Sequence, residues 1–439
     1  MEKGNKTMNP WLWVPTLYFA EGIPYFVVNN ISVMMFTKMG VPNGQMAFFT
    51  TLLYFPWFLK GLWSPLVDVV KTKRWWIVTM QILMTIMMAV LAFTLPFPGK
   101  EMIESGQTPM TMFWFTLILF IVAAFASATH DIAADGFYML AHSTKSQAAF
   151  VGIRSTFYRV SSIFGQGVLV WIAGYTEKSS GDIPYSWQVT LGVAAAVFFL
   201  VTLYHTFCLP KPAADNDRSN AAEGANKVKE FLSSFSTFFT KPGVGLAIAF
   251  MLLYRLPEGF LIKMCQPFLV ADQVKGGLGL DTDAVGIVYG TVGVIMLLIG
   301  GIIGGNYIAK QGLKKSLWIM AAGMTLPCLT FCYLAECQPE SIWAIGTAIA
   351  IEQFGYGFGF TAYMLYMMYF AEGEFKTSHY AICTAFMALS MMLPGFVAGY
   401  LQEFLGYANF FWMVIACCAA TLVVTYLAER KVDEEYGKK

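Results

Sequence analysis

Apolar runs long enough to cross a bilayer recur along the chain, separated by short polar segments. A helical span needs about 20 apolar residues at about 1.5 Å of rise each. Read this way, the sequence predicts twelve spans. The first six cover roughly 11–37, 44–68, 75–96, 111–140, 146–174 and 187–208. The second six cover roughly 243–270, 284–309, 315–335, 341–370, 377–401 and 408–428. Between the two sets lies a polar segment, Leu209 to Lys241, rich in Ala, Asn, Asp, Glu and Lys over Lys211 to Glu230. It reads as a linker with room for a short surface helix. The expected fold class is an all-α integral membrane protein. Its predicted organisation is an N-terminal six-helix half at 1–208, a cytoplasmic linker at 209–241, a C-terminal six-helix half at 242–430 and a cytoplasmic tail at 431–439.

Charge settles the expected orientation. With the N-terminus placed inside, 19 of the 28 Lys and Arg residues fall in inner segments and only Lys38, Lys100, Lys178 and Lys275 in outer loops. Cytoplasmic loops collect basic residues, so both termini are expected in the cytoplasm. Six spans, a long inner loop and six more spans form the layout of the major facilitator superfamily, in which the solute site lies near the midplane between halves. Weak internal symmetry supports the division: Glu21-Gly22 with Pro24 in span 1 answers Pro257-Glu258-Gly259 in span 7. The loops after spans 2 and 8 also correspond, with Asp68 in the first copy and Asn306 in its place in the second.

Composition agrees. Residues are 57% hydrophobic and 13% charged, against about 25% charged in soluble domains. A net charge of +1 gives no basic face for nucleic acid. The polar start Met1 to Asn9 is short and the apolar run after it is too long for a signal core, so the first span is expected to stay as an anchor. The eight cysteines fall mostly in apolar runs without a C-x-x-C spacing and read as small buried hydrophobes. Trp11, Trp13, Trp75 and Trp76 fall at span ends and read as interfacial anchors, and Lys263 as a side chain snorkelling to the outer interface.

The candidate chemistry is the charge stranded inside the spans: Glu21, His130, Asp131, Asp135, Arg154, Arg159, Arg255, Glu258 and Glu352. Each costs at least about 2.5 kcal/mol at bilayer depth, so such residues face a partner, a watery cavity or a solute. Asp131 and Asp135 share a helix face, with Arg154 at comparable depth on span 5. Their pairing reads either as a latch between helices or as a cytoplasmic gate with Asp68. His130 with the two aspartates is also a candidate metal site, which would make the protein a membrane enzyme. A carboxyl taken out of water binds a proton more readily; Glu21, Glu258 and Glu352 are the candidates for proton coupling. Glu21 is alternatively held neutral by Asn29 or Asn30. Arg255 either pairs with Glu258 or offers its planar fork to a solute carboxylate or phosphate. Arg159 is a second anion contact. Tyr25, Asn29, Gln166, Gln353 and Tyr356 are candidate sugar or peptide contacts, by polarity at mid-depth. The glycines at 355, 357 and 359 serve close helix packing or a hinge.

Several stretches together resemble the AmpG family of that superfamily: Phe19-Ala-Glu-Gly22-Ile-Pro24, Leu59-Lys60 through Asp68, Ser127 through Asp135, Val151-Gly152-Ile-Arg154, Leu253 through Glu258, Asp283 through Gly286, and Glu352-Gln353. The resemblance implies uptake of cell-wall breakdown products, N-acetylglucosaminyl-anhydro-N-acetylmuramyl peptides, with protons across a bacterial inner membrane. It also implies a relation to acetyl-coenzyme A transporters. By position, Lys60, Asp68, Asp131, Asp135 and Glu352 match family residues, and Arg255 and Glu258 match a base and an acid. Glu21 stands where the family often has a small polar residue, and His130 where Gln is more usual. The reading is therefore a proton-coupled importer of an anhydromuropeptide, with another anionic solute, such as an acyl-coenzyme A or siderophore-like compound, as the alternative. No cofactor is expected beyond the coupling proton. The expected partners are the small-molecule solute and membrane lipid, not nucleic acid, and the chain is expected to work as a monomer. A receptor or scaffold would need an extramembrane domain larger than the linker.

Overall fold

The computed structural model describes residues 9–94, 110–141, 144–212, 215, 233, 235–373 and 376–438. They form helices, twelve spans among them. Spans 1 to 6 cover 14–38, 43–69, Lys73–Thr94, Met110–Ala141, 144–180 and Ile183–Cys208. Spans 7 to 12 cover 244–270, 282–311, 313–337, Ile342–Ala371, 376–405 and 407–429. The last two are separate helices that meet at a kink at Gly406, whose φ of 75° favours glycine. Span 5 runs on to residue 180 instead of ending near 174, because a helix need not stay apolar once it leaves the hydrocarbon layer.

Seven stretches are long and apolar enough to cross a membrane by length and composition alone, one of them the 52-residue stretch that holds both span 11 and span 12. Spans 1, 2, 5 and 10 fall outside that set. They carry Glu21, Asn29, Asn30, Lys60, Arg154, Arg159, Glu352 and Gln353, and all four border the central cavity. Polarity lost from the hydrophobic signal is thus polarity turned inward. Large apolar side chains such as Trp343, Phe207 and Phe404 are exposed around the outside, the surface that lipid covers.

The cavity-lining spans also depart from regular α geometry. Spans 1, 5 and 8 contain π-turns at Val27–Ile31, Ile163–Leu169 and Val288–Gly293, a feature common at functional sites. Span 2 breaks at Leu53-Tyr54 and span 7 at Tyr254-Arg255. In each, a proline, Pro56 or Pro257, occupies the first turn of the resumed helix, where its missing N–H costs nothing.

Close packing repeats between the halves. A Cβ on Gly22 would lie 1.8 Å from Ser161 Oγ, so span 1 sits hard against span 5. A Cβ on Gly259 would lie 2.4 Å from Pro394 Cγ and 3.2 Å from the Ser390 carbonyl oxygen, so span 7 sits equally hard against span 11. The paired Glu-Gly sequences therefore do the same work in each half.

Among the described residues, the hydrogen bonds and ion pairs that join the halves gather at the end opposite the termini. Asn43 Nδ2 donates to Gln402 Oε1 at 2.6 Å and to the Tyr407 hydroxyl at 3.1 Å. The Gly44 N–H donates to Glu403 at 2.8 Å. Lys178 pairs with Asp281 at 2.9 Å and Asp283 at 2.8 Å, and the Thr282 hydroxyl donates to Glu177. That end is sealed. The four tryptophans named from the sequence divide: Trp11 and Trp75 are exposed and Trp76 is half-buried, whereas Trp13 is buried against Phe137, with ring centroids 5.3 Å apart.

Candidate functional site

A cavity of 660 Å³ lies between the halves, within the range of about 300–1,000 Å³ usual for small-molecule sites. Spans 1, 2, 4 and 5 contribute Glu21, Tyr25, Asn30, Lys60, Asp131, Arg159 and Gln166; spans 7, 8 and 10 contribute Arg255, Tyr289, Gln353 and Tyr356. Six of the proposed solute contacts, Tyr25, Arg159, Gln166, Arg255, Gln353 and Tyr356, are thus brought to one wall-to-wall space. Asn29 is not among them. It is buried, and its Nδ2 donates to the Tyr25 carbonyl at 3.1 Å. The π-turn at Val27–Ile31 rotates the helix face by one position, so Asn30 lines the cavity and donates to Gln166 Oε1 at 3.0 Å.

The first half carries a relay of charge. Lys60 pairs with Asp131, and Glu21 lines the same cavity, buried, with its Oε2 meeting no partner among the described residues. One turn along span 4, Asp135 pairs with Arg154 at 2.7 Å and accepts from the Tyr18 hydroxyl at 3.1 Å. The Arg154 guanidinium also lies 4.6 Å from the Tyr18 ring centroid. Arg154 therefore serves Asp135, and Asp131 is served by Lys60. The asparagines offered as partners of Glu21 are occupied elsewhere. The side chain of Asp68, the remaining gating candidate, lies outside the described residues.

In the second half, Arg255 turns into the cavity. Its guanidinium donates to the Tyr356 hydroxyl at 2.5 Å and lies 4.7 Å from the Phe360 ring centroid. Glu258 is buried with neither oxygen hydrogen-bonded among the described residues, so the i, i+3 pairing does not form. Glu352 is buried too; one oxygen accepts from Gln353 Nε2 at 2.8 Å and the other has no such partner. A buried, unpaired polar group costs about 1–3 kcal/mol, and more when charged.

His130 does not face the cavity. Gln81 Nε2 lies 3.0 Å from its Nε2 and 2.9 Å from His205 Nδ1, and His205 Nε2 lies 2.9 Å from the Thr16 hydroxyl. This buried chain ties spans 1, 3, 4 and 6 together and directs the imidazole away from the aspartates. Among the described residues, no three His, Cys, Asp or Glu side chains converge as metal ligands.

The sequence reading missed the aromatic walls. Tyr54, Trp57, Tyr158, Tyr289 and Phe360 all line the cavity; the run Tyr54-Phe55-Pro56-Trp57 in mid-span was the available signal. It also misplaced Lys263, which is buried between the halves instead of reaching an interface.

The sequence profile of the Major Facilitator Superfamily matches residues 16–374. The anhydromuropeptide permease of Escherichia coli (strain K12) is 23% identical over 422 residues, covering 95% of this chain and 79% of that protein. The putative transporter AmpG 4 of Rickettsia conorii is 24% identical over 426 residues, covering 95% of this chain and 96% of that protein. Among solved structures, a D-xylose-proton symporter superposes with a TM-score of 0.71 at 13% identity, over 98% of this chain and 99% of that chain. At that identity the likeness speaks to the fold alone. These relatives are transporters and not enzymes, which removes the metal-enzyme reading of His130, Asp131 and Asp135. A central cavity between two packed sets of spans and a profile match over most of the length lead to one conclusion: the chain is a multi-pass membrane transporter belonging to the Major Facilitator Superfamily, with an AmpG-like sequence.

Proposed function

We propose that the protein imports an anhydromuropeptide together with protons, by alternating access of one cavity to the two sides of a bacterial inner membrane. Similarity to the anhydromuropeptide permease along nearly the whole chain supports the solute class. The cavity chemistry fits it: aromatic rings suit the apolar faces of sugars, and Arg255 and Arg159 suit the carboxylates of a peptide stem. Gln166, Gln353, Tyr25 and Tyr356 supply hydrogen bonds at the same depth.

The observation that carries proton coupling is Glu21 itself: a buried carboxyl at the cavity wall, beside the Lys60–Asp131 pair, with one oxygen that meets no hydrogen-bond partner among the described residues. A carboxyl so placed can take up and release a proton as the cavity opens to one side and then the other. Glu258 and Glu352 are the corresponding carriers in the second half. The basic residues in the loops support a cytoplasmic location for both termini. The sealed end then faces outward, and the Asp135–Arg154 pair with Asp68 belongs to the cytoplasmic gate. Uptake of labelled anhydromuropeptide into energised cells, with and without an uncoupler, tests the reading. Accumulation that collapses with the gradient is expected; accumulation indifferent to it removes proton symport.

A further inference from the structure

Span 7 carries a cation that none of these roles uses. Lys263 is 7% exposed, and its ammonium meets no hydrogen-bond acceptor among the described residues. A lysine near a membrane surface normally extends its stem and keeps its head in water. This one is enclosed between the halves, where a charge without a partner is costly. Glu258, the acid in the same helix, is five residues back and about 140° around the axis.

The position is informative. Lys263 lies eight residues beyond Arg255, about 12 Å toward the sealed end. Its neighbour Ile262 lines the cavity, and Lys263 does not. Tyr54 of span 2 stands between: its ring lines the cavity, and its centroid lies 5.8 Å from the Lys263 ammonium. That distance is within cation–π range but supplies no hydrogen bond. Tyr54 sits in the break between the helices Asn43–Leu52 and Phe55–Val69, where the backbone of span 2 is interrupted. Opening the sealed end requires span 2 to part from the second half, which carries Tyr54 away from Lys263.

We propose that Lys263 is an anion-binding residue of the outward-facing site, covered by Tyr54 in the conformation described and uncovered when the outer end opens. It receives a carboxylate of the solute, beyond the one received by Arg255. An ammonium suits this use because it is a compact point charge that accepts an approach from several directions. The choice of carboxylate rests on the anhydromuropeptide reading; the location of Lys263 on the outer path does not.

The test uses the full-length transporter in lipid nanodiscs. Binding is titrated with an anhydromuropeptide bearing free stem carboxylates and with the same compound amidated at those carboxylates. Lys263→Met should weaken binding of the free acid tenfold or more and leave the amidated compound unchanged, while Lys263→Arg restores most of the loss. The same Lys263→Met variant should unfold at a higher temperature than the parent, because an apolar side chain of similar length replaces an unpartnered ammonium. Equal weakening of both compounds, or of neither, overturns the proposal, as does lowered thermal stability. If the parent protein binds neither compound, the solute assignment fails, and a second arm decides the location. Lys263→Cys, in cells, should react with an impermeant anionic thiol reagent above the parent background during turnover; no reaction above background overturns an outer-path role.

Discussion

Arg255 and Glu258 stand three residues apart in span 7 and do not pair. The helix break at Tyr254-Arg255 turns the guanidinium toward Tyr356 and Phe360, and the Glu258 carboxyl is enclosed away from it. An internal pair would neutralise both groups. Kept apart, each is left for something that enters and leaves, and their loss should have different consequences. Arg255→Met should weaken solute binding at least about tenfold, or 1.4 kcal/mol. Glu258→Gln should leave binding nearly unchanged and abolish accumulation against a gradient. Binding titration combined with uptake separates the two; parallel losses in both assays would mean that the residues act as one unit after all.

Glu21→Gln retains the size and polarity of the side chain but cannot bind or release a proton. The variant should exchange labelled for unlabelled solute at close to the parent rate and fail to concentrate it. Undiminished concentration would take Glu21 out of the coupling.

The Asp135–Arg154 pair has ideal length and modest worth. Side-chain exposures of 39% and 31% leave it well hydrated, and such pairs contribute about 0.2–1 kcal/mol. A double-mutant cycle on thermal unfolding with Asp135→Asn and Arg154→Met should give a coupling energy within that range. This is the strength suited to a contact broken and remade in every transport cycle. A coupling of several kcal/mol would identify a permanent strut.

Closure of the outer end depends on backbone approach between spans 5 and 8. A Cβ on Gly290 would lie 1.9 Å from the Gln166 carbonyl oxygen, a backbone atom that cannot swing aside. Gly290→Leu should therefore wedge the halves apart at that end, bind solute added outside and transport none. A cysteine introduced at the cavity wall in this variant should react with an impermeant thiol reagent. Normal uptake by Gly290→Leu would show that the seal does not require this contact.

Those contacts mark the boundary of what the chain made legible. Twelve spans, their pairing into halves and the inward polarity of spans 1, 5 and 10 follow from local pattern, since a helix declares its apolar face in its own neighbourhood. The Asp135–Arg154 pair was within reach because spans 4 and 5 are consecutive in the sequence and the two residues lie at comparable depth. Lys60–Asp131 was not, since it links spans 2 and 4 across 71 positions. Polarity at mid-depth does not separate Asn29 from Asn30; the π-turn at Val27–Ile31 does. Lys263, eight residues beyond Arg255, reads as interfacial from its own span; only the other half of the molecule, arriving through Tyr54, encloses it.

The most direct measurement is transport by purified protein in proteoliposomes with an imposed pH difference. Labelled anhydromuropeptide should accumulate above its external concentration when the outside is acidic, with protons entering alongside it, and an uncoupler should discharge the accumulated solute. Equilibration to the external concentration at the same rate with and without the pH difference would contradict proton-coupled import.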